Sequence, residues 1–212
     1  MRATKRLLAC GAIAGPLFIL VVLLQDYTRS GFDSRQHPLS LHALGDRGWI
    51  QVVNFVAIGV LNLAYAWGLR RALHPGPAGT WGPAMLGVYG LALIIAGIFR
   101  ADPAFGFPPG VAAPSNPSMA DLIHGVAAMV AFGCLTVACF VFARRFGARR
   151  AARGWAGYCV ATGIAIILLF GTAAYDQHSL SLLLRAAVLL GWGWSAVIAT
   201  QLIRALGHEH QH

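Results

Sequence analysis

Two short strings in this chain bring carboxylates close to an imidazole: "FRADP" at 99–103 and "DLIH" at 121–124. Asp121 and His124 stand three residues apart, a spacing that puts two side chains on one helix face. A carboxylate near an imidazole can move protons in general acid–base chemistry. Asp102 and Asp121 are therefore candidate bases and His124 their partner, for hydrolysis or group transfer on a lipid. More polar residues gather nearby: Asp33, His37 and Ser40 in "GFDSRQHPLS" (31–40), Arg100 before Asp102, and Asp176 with His178 in "YDQHS". Together with Asp102, Asp121 and His124 they form the candidate ligand-binding set, suited to a lipid headgroup or a small polar ligand.

A blander reading stands beside this one. Arg100 suits a helix C-terminus and Asp121 an N-terminus, and ion pairs on a wet rim contribute only ~0–1 kcal/mol. The His37–His42 and Asp176–His178 spacings are not zinc signatures, so no metal site is expected. Haem needs histidines deep in facing helices, and only His124 falls inside an apolar run. No cofactor is expected.

What must position these residues is a membrane bundle. The chain is 58% hydrophobic and 11% charged with mean hydropathy +0.66, more apolar surface than one soluble domain of 212 residues buries. A bilayer-spanning helix needs ~20 apolar residues, and six such runs occur, at about 7–24, 50–69, 83–99, 122–143, 155–174 and 182–203. The expected fold is all-α, a single six-helix transmembrane domain over 1–212. "LLACG" at 7–11 resembles a lipoprotein cleavage box, but only Leu7, Leu8 and Ala9 of the apolar run precede Cys10. A signal peptide has its apolar stretch before the cleavage site, so helix 1 is expected to stay as a span.

Basic residues accumulate on the cytoplasmic side of membrane proteins. With the N-terminus inside, the inner segments hold 11 of the 16 Lys and Arg, and the outer ones hold all six aspartates: Asp26, Asp33, Asp46, Asp102, Asp121 and Asp176. Net charge divides into +10 inside and −1 outside, which predicts cytoplasmic termini. "RRFGARRAAR" (144–153) then has a topological reason to exist, and nucleic acid is not an expected partner. The four cysteines fall within spans and read as small packing residues. Gly125, Ala127, Ala128, Ala131 and Gly133 make helix 4 small-sided, which predicts close helix packing. Trp192 and Trp194 of "GWGW" are expected to pack against a neighbouring helix. Mid-span positions offer Asn62, Thr136, Thr162 and Ser195 but no charge, which counts against a coupled transporter. The tail "GHEHQH" (207–212) reads as a disordered cytoplasmic end.

The loops add a local signal. Ser118 and Asp121 have capping-box spacing, so helix 4 is expected to begin near Met119. "RSGFDSRQHPLSLHALGDRGWIQVVNF" (29–55), "AGIFRADP" (96–103) and "DLIH" (121–124) resemble the domain of unknown function 998 family over about 8–205. The matching residues are Asp33, His37, Pro38, Ser40, Trp49, Asn54, Phe55, Asp102, Pro103 and His124. The resemblance implies six-span prokaryotic plasma-membrane proteins, with weight on the outer rim and no known activity. The expected function is thus a membrane protein with a polar outer-face pocket for a lipid headgroup or small polar ligand. The alternative is a non-catalytic scaffold whose rim contacts a membrane-protein partner.

Overall fold

The computed structural model describes residues 2–176 and 178–208. Six helices follow one another: α1 (Arg2–Thr28), α2 (Gly48–Leu73), α3 (Pro77–Ile98), α4 (Met119–Gly147), α5 (Arg153–Tyr175) and α6 (Leu180–His208). Short 3-10 turns occupy Leu39–Ala43 and Arg150–Ala152, and no strand occurs among the described residues. All six helices are long and apolar enough to cross a membrane. They run past the apolar stretches because polar ends continue helical outside the hydrocarbon: the 27 residues of α1 span ~40 Å at 1.5 Å each, against a ~30 Å core. Asp26, expected just beyond helix 1, accordingly sits in its last turn. The tail residues 209–212 lie outside the described residues.

Each helix packs against the next, and α6 closes onto α1 to complete a ring. Both chain ends meet at one end of this ring, where a β-carbon on Gly207 would lie 3.7 Å from Lys5 Nζ. That half is solidly filled by Leu8, Tyr65, Leu69, Phe142, Trp194 and Ile198. Trp194 packs edge-on against Phe142 at 5.6 Å and donates its indole N–H to Cys159 Sγ at 3.2 Å. At the opposite end the long loops gather: loop 1 (residues 29–47) and loop 2 (residues 99–118).

Glycine provides the tightest crossing, between α2 and α3. A β-carbon on Gly59 would stand 2.6 Å from the Gly90 carbonyl oxygen, and one on Gly90 would stand 2.8 Å from that of Gly59. Two backbones in contact have no room to give, so Gly59→Ala is expected to destabilise by about 1–3 kcal/mol. Thermal unfolding in detergent reads this directly. Gly125→Ala on α4, where a β-carbon meets nothing within 4 Å, is the control and should be neutral or slightly stabilising.

Candidate functional site

Phe32 is the centre of a roof formed by loop 1. Its ring stacks on His42 with centroids 3.7 Å apart and meets His37 and Phe107 edge-on at 5.1 Å each. His37 uses both nitrogens on backbone: Nδ1 accepts from the Asp33 N–H at 2.9 Å, and Nε2–H donates to the Phe105 carbonyl at 3.0 Å. An N–H can only donate to a bare nitrogen, so the first contact fixes the tautomer. One imidazole thereby joins loop 1 to loop 2. Ser181, in the first turn of α6, holds the same segment from below, its Oγ 2.8 Å from the His37 carbonyl oxygen.

Beneath the roof, Asp26 is clamped from two directions. Arg185 of α6 donates from Nη1 and Nη2 to Oδ2 and Oδ1 at 2.8 and 3.0 Å. His42 Nε2 donates to Oδ1 at 2.8 Å. The side chains of Arg185, Asp26 and His42 are only 15%, 11% and 0% exposed, so this is a nearly buried, bidentate, charge-assisted contact. Arg29 braces the back of His42 by donating to the carbonyls of His42 and Leu44.

His42 Nδ1 is buried with no partner. Burial pushes the imidazole pKa below 6.5, outweighing Asp26, which pulls upward; Arg185 and Arg29 push it further down. In the unfolded chain the ring binds a proton at about 6.5, whereas in the fold it does so only at lower pH. Stability linked to His42 is therefore complete above pH 6.5 and is lost as pH falls from 6.5 towards the folded value. The melting temperature should drop across that window, and His42→Gln, which does not titrate, should flatten the profile. A wild-type melting temperature constant between about pH 5 and 7 would remove His42 as the cause.

Below loop 2 and the 3-10 turn of loop 1, the ring is hollow. A cavity of about 380 Å³ extends down to Trp192, walled mainly by apolar side chains including Phe18, Phe55, Tyr89, Leu93 and Phe170. Trp192 packs edge-on against Tyr89 at 5.4 Å and forms the floor. Helix α4 faces the space with Asp121, His124, Gly125, Ala128 and Ala131, one stripe at helical spacing. Of the small residues expected to give close packing, Gly125, Ala127, Ala128 and Ala131 line this space, Gly125 with nothing within 4 Å of its β-carbon position, while Ala127 and Ala131 are buried and Gly133 is exposed outside the cavity. On the outer side of α3 and α4 runs an apolar groove, and Ala92 and Ala127 line both groove and cavity.

Polar residues meet the cavity at its loop end. Ser118 Oγ accepts from the Asp121 N–H at 3.1 Å and caps α4. Asp121 Oδ1 in turn accepts from the Asp102 N–H at 3.0 Å, and Asp102 Oδ2 from the Ser118 N–H at 2.7 Å. Loop 2 is thus tied to α4 through both carboxylates, each with one oxygen left over. Neither is hydrogen-bonded to His124, so the carboxylate–imidazole pairing expected from the sequence is not formed. His124 Nδ1 lies 2.9 Å from both the Ala96 and Phe99 carbonyl oxygens. Carbonyls only accept, so Nδ1 carries a proton, and Nε2 makes no hydrogen bond among the described residues.

Of the candidate residues, Ser40, Asp102, Asp121 and His124 line the cavity together. Asp33, Arg100 and His178 are exposed, and His37 is buried in the roof. Asp176 caps the turn after α5, its carboxyl held below the ordinary range mainly by hydrogen bonding to Ser179. Asp26, His42 and Arg185 were not in that set. Arg185 lies within the sixth apolar run, and a charge there requires a partner. Also unforeseen is the buried amide chain Gln25–Gln51–Asn54 between α1 and α2, with contacts of 2.7 and 3.2 Å. Among the described residues no three His, Cys, Asp or Glu side chains are grouped closely enough to hold a metal ion.

Six helices, each long and apolar enough to cross a membrane and closed into a ring, define a multi-pass membrane protein. The chain belongs to DUF998, a family of proteins of unknown function, whose model matches residues 12–201. No curated protein and no solved structure matches it.

Proposed function

We propose that the protein binds an amphiphilic lipid at the outer face of a prokaryotic plasma membrane, its chain in the cavity and its headgroup beside Ser40, Asp102, Asp121 and His124. The observation that carries this reading is the distribution of polarity: the space is apolar along its length and polar at one end, matching an amphiphile. Its ~380 Å³ falls within the roughly 300–1,000 Å³ of small-molecule sites. It is more than twice the ~150 Å³ apolar cavity that admits benzene, room for a chain on the order of a dozen carbons. The outer-face assignment follows from charge, since 11 of the 16 basic residues lie at the end holding the termini or in the loops beside it.

Native mass spectrometry of the protein released gently from its own membrane tests the reading. A stoichiometric lipid adduct is the expected result, retained through mild activation. Bare protein overturns it, and a co-purifying protein in place of lipid favours the scaffold alternative.

A further inference from the structure

We infer that the headgroup taken at this site is a cation, specifically a protonated amine, rather than a phosphate or carboxylate. This deepens the lipid-binding reading and rests on it. The charged side-chain atoms left free at the cavity mouth are acceptors. Asp102 Oδ1 and Asp121 Oδ2 are the carboxylate oxygens not used in tying loop 2 to α4, and a neutral His124 adds Nε2 as a third acceptor. Ser40 adds a hydroxyl, which donates or accepts as required.

No protein cation answers them. The ion pairs among the described residues are both made to Asp26. Arg185 is consumed by that carboxylate, Ser181 and the His37 carbonyl, and Arg29 by two carbonyls of loop 1. Arg100, next but one to Asp102, is exposed and lies within 4 Å of no carboxylate among the described residues. The α4 N-terminus offsets part of the charge on Asp121, but the backbone ties also prevent either carboxylate from swinging away.

Two carboxylates held at the edge of an apolar chamber, without a counter-charge, repel an anionic head and attract a cationic one. His124 is the second, independent sign. It is 9% exposed and lines the cavity, and its Nε2 has no hydrogen-bond partner among the described residues. A primary ammonium carries three donors, enough for both free carboxylate oxygens and this nitrogen at once.

The test compares probes of one chain length, dodecylamine, dodecanol and dodecanoate, with butylamine as the chainless amine. Full-length protein in nanodiscs is titrated near neutral pH, and binding is followed by tryptophan fluorescence, with Trp192→Phe identifying the floor signal. Dodecylamine is expected to bind about tenfold or more tighter than dodecanol, with dodecanoate weakest. Asp102→Asn and Asp121→Asn each keep an oxygen for the backbone tie and should erase most of the amine preference. Unchanged Trp192 emission in the probe-free variants would certify an intact cavity. Equal affinity for the three chains overturns the headgroup inference and leaves the lipid reading standing, as does a preference for dodecanoate. Butylamine binding as tightly as dodecylamine keeps the amine site but removes the lipid, and no binding by any probe overturns both.

Discussion

Arg185→Ala is expected to lower the unfolding free energy by about 3 kcal/mol, near the bottom of the ~3–5 kcal/mol range for breaking a buried pair from one side. The low end applies because the guanidinium is 15% and the carboxylate 11% exposed. The loss would come less from the missing attraction than from the carboxylate left behind, with only neutral His42 to satisfy it. The same guanidinium lies 5.9 Å over the Phe32 ring and donates to Ser181 and the His37 carbonyl, so the roof should loosen with it. Arg185→Lys keeps the charge without the bidentate fork and should fall between. A double replacement, Asp26→Leu with Arg185→Met, should recover most of the loss, because well-packed apolar residues often substitute for a buried pair without penalty. Denaturant titration in mixed micelles measures the wild type and all three variants. An Arg185→Ala protein that melts with the wild type would show that the clamp carries no stability.

The largest functional effect is expected from Ala128→Trp. Ala128 faces the cavity from the middle of the α4 stripe, so an indole there enters empty space rather than a packed neighbour. Filling a void is commonly neutral or stabilising, by up to about 2 kcal/mol. The variant should therefore melt at or above the wild-type temperature while losing essentially all bound lipid. Opposite directions for fold and function separate this variant from one that merely unfolds. Retention of lipid at wild-type stoichiometry would place the chain outside the cavity and overturn the reading.

The six spans were legible because an uncharged run of membrane length has few alternatives, and the start of α4 because Ser118 and Asp121 encode a local cap. Helix ends were less so, since polar residues beyond the hydrocarbon continue the helix at no cost that composition reveals. The site divided along the same line. Asp102, Asp121 and His124 announced themselves by neighbouring positions in sequence. Asp26 and Arg185 lie 159 residues apart, and nothing local in either segment names the other. The α4 small residues were legible only in part, because small residues mark both tight packing, as at buried Ala131, and open space, as at Gly125. Which one they mark depends on how far the ring is held open by bulk elsewhere, at Trp192, Tyr89 and Phe170.

Ala92 and Ala127 line both the cavity and the apolar groove outside α3 and α4, so their small side chains lie between the two spaces. A chain that moves from bilayer to chamber therefore exchanges one hydrocarbon environment for another and gains nothing from leaving water. Such a transfer should carry almost no heat-capacity change, because little apolar surface changes its contact with solvent. Partitioning into the chamber is then decided by shape along the tail and by charge at its head. Abundance of a lipid in the membrane would set its competitive advantage as directly as its structure does.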